Sequence, residues 1–187
     1  NLITKAALRL DRQFHSVLDL GCGTGLSAEF LVAEMGIRTL IGVDLSPGML
    51  SVAEEKGIYD YLFAGDMTSL VRVMADRQQM RKLDSVDSGV MEAGIETDGE
   101  SSWQGSPQRR SGGGSIKTID FIEQTGPNTD FLSDILNPLL IVAADVFVYV
   151  SNLEPVFSEV HRLTCPGDIM IFTVEAADAQ AQVSDGD

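Results

Sequence analysis

Cysteine is scarce in this chain: two residues in 187, Cys22 and Cys165, far apart and without paired spacing. That argues against a disulfide framework and offers no metal-ligand pattern, so no metal is expected. A reducing compartment, the cytoplasm by default, is the expectation. Basic residues are also few, 13 against 28 acidic ones, for a net charge of −15. A field of that sign opposes a phosphate backbone, so nucleic acid is not the expected partner. No apolar run reaches the roughly 20 residues that a membrane helix needs. The most apolar stretch, ILNPLLIVAADVFVYV (135–150), is interrupted by Pro138 and Asp145 and reads as a buried strand followed by a loop. No signal peptide is visible, and an opening on Asn1 rather than Met suggests a cut N-terminus.

What the chain does have is 44% hydrophobic content, enough for one α/β domain with a real core. Residues 1–11 carry apolar groups at helical spacing, and SVLDL (16–20) reads as a strand. LSAEFLVAEMG (26–36) is helical and stops at Gly36, while TLIGVD (39–44) is apolar throughout, as a strand covered on both faces should be. In SPGMLSVAEEKG (46–57), Ser46 is placed as an N-cap, Pro47 suits the first turn and Gly57 closes the helix. A third strand follows in YDYLFAGD (59–66), then a possible helix over 69–83. Residues 84–130, with SGGGS at 111–115, read as a flexible insertion, and IKTIDFIEQ (116–124) as a possible ordered return. The rhythm resumes with a strand at 139–145, a helix at 153–163 and a strand at 168–175. The expected organisation is therefore one domain in two halves, 1–83 and 131–175, around the insertion, with a frayed tail at 176–187. Strands alternating with helices imply a doubly wound, mostly parallel sheet with helices on both faces.

In such sheets a ligand lies beyond the carboxyl ends of the strands. The stretch VLDLGCGTG (17–25) places Gly21, Gly23 and Gly25 there, where a close backbone approach excludes side chains. The dinucleotide pattern G-x-G-x-x-G fails at Leu26, which also argues against a nicotinamide-dependent oxidoreductase. The Gly-Lys-Ser/Thr of a P-loop is absent too. Asp44, ending the second strand, can accept hydrogen bonds from both hydroxyls of a ribose. Gly65 and Asp66, ending the third, are placed to meet an adenine edge. Plainer roles stand beside these: a tight strand–helix turn for the glycines, a helix N-cap for Asp66, a cap or a substrate-facing group for Asp145, and a small buried filler for Cys22. His15 and His161 read as surface or packing residues rather than bases.

VLDLGCGTG, IGVDLSPGML, AGDM and HRLTCPGDIMIFTVE together resemble the motifs of class I S-adenosylmethionine-dependent methyltransferases, over 16–67 and 139–175. ADVFVYVSNLEPVF (144–157) is similar in particular to a bacterial group found with tetratricopeptide repeats, although no such repeat occurs here. The resemblance implies a Rossmann-like sheet of order 3-2-1-4-5-7-6 whose final hairpin is missing from these 187 residues, leaving turnover in question. It implies S-adenosylmethionine as cofactor. Asp19 and the Gly21–Gly25 turn, with Cys22, would hold the methionine part. Asp44 would hold the ribose, Leu45, Met49 and Met67 would pack on the adenine, and Gly65 and Asp66 would meet its edge. Ala143, Ala144, Asp145 and Val146 would wall the methyl-transfer site. The implied function is methyl transfer to a small-molecule or protein acceptor, with no catalytic base nameable. The alternative is a non-catalytic cofactor-binding regulatory module.

Overall fold

The computed structural model describes residues 2–87, 116–119 and 130–175. A short helix α1 (Leu2–Leu8) leads into β1 (Ser16–Leu20), α2 (Leu26–Met35), β2 (Thr39–Asp44), α3 (Pro47–Glu55), β3 (Tyr61–Ala64) and the long α4 (Met67–Asp87). After the segment 88–115 come β4 (Lys117–Thr118), β5 (Leu139–Ala143), α5 (Glu154–Leu163) and β6 (Ile169–Phe172). The six strands are ordered β4-β3-β2-β1-β5-β6 and every neighbouring pair is parallel.

Strand periodicity explains the layers. Leu18 and Leu20 of β1 point to one face, with Ile41, Val43, Phe63 and Ile141, and meet Leu70 and Met74 of α4 and Val156 and Val160 of α5. Val17 points to the other face, with Leu40, Leu62, Leu140 and Val142, and meets Ile3, Leu31, Leu50 and Ala53 of α1, α2 and α3. Central strands covered on both sides need apolar residues at every position, and β1 and β5 are buried throughout. Local punctuation fixes the helix ends. Ser46 accepts the Met49 amide as N-cap of α3, with Pro47 in its first turn, and Gly36 closes α2 in the left-handed conformation.

Two elements reach into the span read as an insertion. The helix predicted over 69–83 runs longer, from Met67 to Asp87. The span taken as insertion also contains a strand of the sheet. Lys117 and Thr118 pair with Phe63 and Ala64, and Ile119 is buried in the core. The strand lies in the stretch 116–124, read from the sequence as a possible ordered return; two residues are too few to show alternation. The rest of the predicted insertion (88–115 and 120–129) and the tail (176–187) lie outside the described residues. No helix among the described residues is long and apolar enough to cross a membrane.

Candidate functional site

The order of strands reverses at β1: β2 and β3 lie on one side of it, β5 and β6 on the other. Loops leaving β1 and β5 therefore diverge and open a crevice at the carboxyl edge. A cleft of about 550 Å³ occupies that place. From the expected set, Asp19, Gly21, Cys22, Gly23, Asp44, Leu45, Met49, Gly65, Met67, Ala144 and Asp145 line it. Three do not. Ala143 is buried within β5. Gly25 lies behind the turn, and Asp66 accepts the Ser69 amide at 2.9 Å as the cap of α4. Thr24, Leu26, Ser27, Ser46 and Tyr149 also line the cleft and were not among the site residues expected from the sequence.

The glycines serve different ends. A Cβ on Gly21 would stand 2.3 Å from Val146 Cγ2, one on Gly25 2.9 Å from the Tyr59 ring, and one on Gly65 2.5 Å from Ile119. At these three positions the missing side chain makes room for protein. Gly23 alone of the four has nothing within 4 Å of a built Cβ, and it lines the cleft. Its φ of 54° is left-handed, a conformation that a glycine holds without strain.

Asp44 holds this loop. Its Oδ2 accepts the Gly23 amide at 2.9 Å and its Oδ1 accepts the Ser46 amide at 2.8 Å. One carboxylate thus ties the glycine turn to the start of α3. A carboxylate has about four acceptor sites, so capacity for a ligand remains. Asp145 is held differently. Its φ of 55° is left-handed for a non-glycine residue, a strain that packing must over-determine. Thr173, just past β6, does so by accepting the Asp145 amide at 2.6 Å and donating to its Oδ1 at 2.8 Å. Asp145 is thus anchored by the neighbouring strand while its residue lines the cleft.

Beneath the turn, Asp19 is buried and its Oδ2 accepts the Tyr59 hydroxyl at 2.8 Å. Burial pushes its carboxyl from the ordinary 3.8 up to about 6; the Tyr59 hydrogen bond opposes that and the charge of Asp44 adds to it. Burial, then the charges of Asp19 and Asp44, push the Cys22 thiol up as well, so Cys22 stays a thiol. His15 and His161 stand outside the cleft.

Residues 17–89 match the family model for a methyltransferase domain. Over that stretch, under half of its length, the chain is similar to a methyltransferase domain. The parallel sheet that carries the matched stretch has the doubly wound, Rossmann-like order described above. A trans-aconitate 2-methyltransferase of Methylobacterium nodulans is 50% identical over 40 residues, 21% of this chain and 16% of that protein. An 18S rRNA (guanine-N(7))-methyltransferase of Bos taurus is 43% identical over 51 residues, 27% of this chain and 17% of that protein. The methyltransferase solved in complex with the Trm112 activator of Haloferax volcanii superposes with a TM-score of 0.48 at 17% identity, covering 91% of this chain and 50% of that one. The match thus spans half of the solved relative, and about a sixth of the curated ones.

The fold carries a cost at Asp19. A carboxyl whose pKa is higher folded than unfolded binds its proton more tightly in the native state. Its contribution is therefore fully favourable below about pH 4 and is lost as pH rises from 3.8 through 6. Two units correspond to at most about 3 kcal/mol. Asp19→Asn is accordingly expected to gain about 1–3 kcal/mol over the wild type between pH 4 and 7. Urea unfolding at both pH values checks this, and a constant difference would show that Asp19 does not titrate in that window.

Proposed function

We propose that this domain binds S-adenosylmethionine in the cleft at the β1–β5 switch and transfers its methyl group to an uncharged nucleophilic atom of a small molecule or protein. The observation that carries the reading is the pairing of Gly23, whose missing side chain leaves cleft space open, with the Asp44 carboxylate directly beside it. When bound, the cofactor supplies an electrophilic methyl group on a sulfonium. Asp44 would accept from the ribose hydroxyls. The half- to mostly exposed Met49 and Leu45, with Met67, offer apolar surface for the adenine, worth about 1.5–3 kcal/mol for each side chain fully covered. Asp19, under the turn, places negative charge toward the cationic methionine end.

Val146 and Tyr149, which follow Asp145, wall the other side of the cleft and would align the acceptor and exclude water. The ionisable groups among the described lining residues are Asp19, Asp44, Cys22, Asp145 and Tyr149, with no basic one, which favours a neutral or cationic acceptor over an anion. The net charge of −15 argues the same way against nucleic acid.

Calorimetric titration with S-adenosylmethionine is expected to give a Kd near the micromolar range, about −8 kcal/mol. Incubation with methyl-labelled cofactor and pooled amine, hydroxyl and protein acceptors should then label a product. Absence of binding overturns the reading. Tight binding with no transfer to any acceptor favours a regulatory module instead.

A further inference from the structure

Tyr59 belongs to no glycine motif, yet the cleft is built around it. It sits just ahead of β3 and is buried, with its ring filling the space that two glycines leave. A Cβ on Gly25 would come 2.9 Å from its Cε2, and a Cβ on Gly42, in the middle of β2, 2.7 Å from its Cε1. One ring edge thus needs a glycine in the turn and the other a glycine in the strand. This wedging aims the hydroxyl at Asp19 Oδ2, 2.8 Å away, and the Cys22 thiol lies against the same hydroxyl.

We propose that Tyr59 is a positioning residue for cofactor binding: its hydroxyl, fixed by the gaps at Gly25 and Gly42, holds the Asp19 carboxylate ionised and oriented beneath the glycine turn. The proposal rests on the methyltransferase reading and adds a residue to it. The groups facing Asp19 are Tyr59, the Cys22 thiol and the Asp44 carboxylate. Of these, Asp44 repels its charge, the thiol stays neutral, and Tyr59 donates to it. Burial with the carboxylate beside it pushes the Tyr59 hydroxyl far up, so it stays a donor throughout the working pH range. Tyr59 therefore opposes the desolvation that raises Asp19.

The test is titration of S-adenosylmethionine against wild type, Tyr59→Phe and Asp19→Asn between pH 5 and 8.5. Wild-type affinity should fall by about tenfold per pH unit below the Asp19 midpoint, since a cationic ligand binds the ionised form. Tyr59→Phe keeps the ring and loses the hydroxyl. Its midpoint should move up by about half a unit to one unit, so affinity at pH 5 drops roughly three- to tenfold below wild type, the loss at pH 7 is under about twofold, and it vanishes toward pH 8.5. Asp19→Asn should bind weakly and without this pH dependence, and adding Tyr59→Phe to it should restore none. A Tyr59→Phe variant that weakens binding equally at every pH, or not at all, overturns the assignment while leaving the methyltransferase reading intact. A wild type that binds no S-adenosylmethionine overturns both.

Discussion

Asp44→Ala is expected to weaken S-adenosylmethionine about a hundredfold or more. Two losses combine. The ribose hydroxyls lose a charged acceptor, worth about 1.5–3 kcal/mol per hydrogen bond before water compensates. The Gly23 and Ser46 amides also lose the carboxylate that joins them, so the turn is no longer held in its binding form. A hundredfold is about 2.8 kcal/mol. The clamp also sets the behaviour of the isostere. Each Asp44 oxygen accepts from a backbone amide, and an asparagine must turn its own NH2 toward one of those donors. Asp44→Asn should therefore bind nearly as poorly as Asp44→Ala. If Asp44 served the ribose alone, asparagine would be the milder change, since its amide oxygen still accepts from one hydroxyl. Calorimetry on both variants, with circular dichroism to verify folding, separates the two views. A folded Asp44→Ala with unchanged affinity would sink the role of this acid.

Gly21→Ala should damage the fold as well as the cleft. A side chain at φ 68° costs about 1–2 kcal/mol of backbone strain. The new methyl would also stand 2.3 Å from Val146 Cγ2 and 2.7 Å from its Cβ, and overpacking of this kind costs about 1–3 kcal/mol. The sum, about 2–5 kcal/mol, is a large share of a typical 5–15 kcal/mol. Adding Val146→Gly should restore the overpacking part and leave the strain. Gly23→Ala should behave oppositely, losing about 1–2 kcal/mol of stability from strain alone but most of its cofactor affinity, because the methyl enters open cleft. Urea midpoints and cofactor titrations on the three variants would show this crossing pattern. Equal stability losses at 21 and 23 would contradict the division of roles.

Much of the architecture was legible because the local signals are strong. The run from β1 to α3 is punctuated by Gly36, Ser46, Pro47 and Gly57, each of which has a local steric or hydrogen-bonding reason. The cleft was legible in outline, since a glycine turn and an acid at adjacent parallel strand ends must lie side by side. Its inner logic was not. Whether a glycine faces ligand or protein depends on residues such as Tyr59, Ile119 and Val146, which are separated from it by 17 to 125 positions in the pairs found here. Nothing at residue 59 announces a hydroxyl aimed at Asp19, because the contact arises from the meeting of a turn, β2 and the approach to β3. β4 was legible only as a possible ordered return at 116–124, because two residues carry no periodicity.

The place of β5 beside β1 bears on how the chain is made. Val17 pairs with Leu140, and the Leu136 amide donates to the Ser16 hydroxyl at 2.7 Å, contacts that span some 120 residues. A ribosome adding about 5–20 residues per second takes roughly 6–24 s to cover that distance. Throughout that interval the most buried strand of the finished sheet has a bare flank of backbone donors and acceptors. The nascent protein therefore passes through a state in which its centre is an edge, open to pairing with whatever extended segment arrives first.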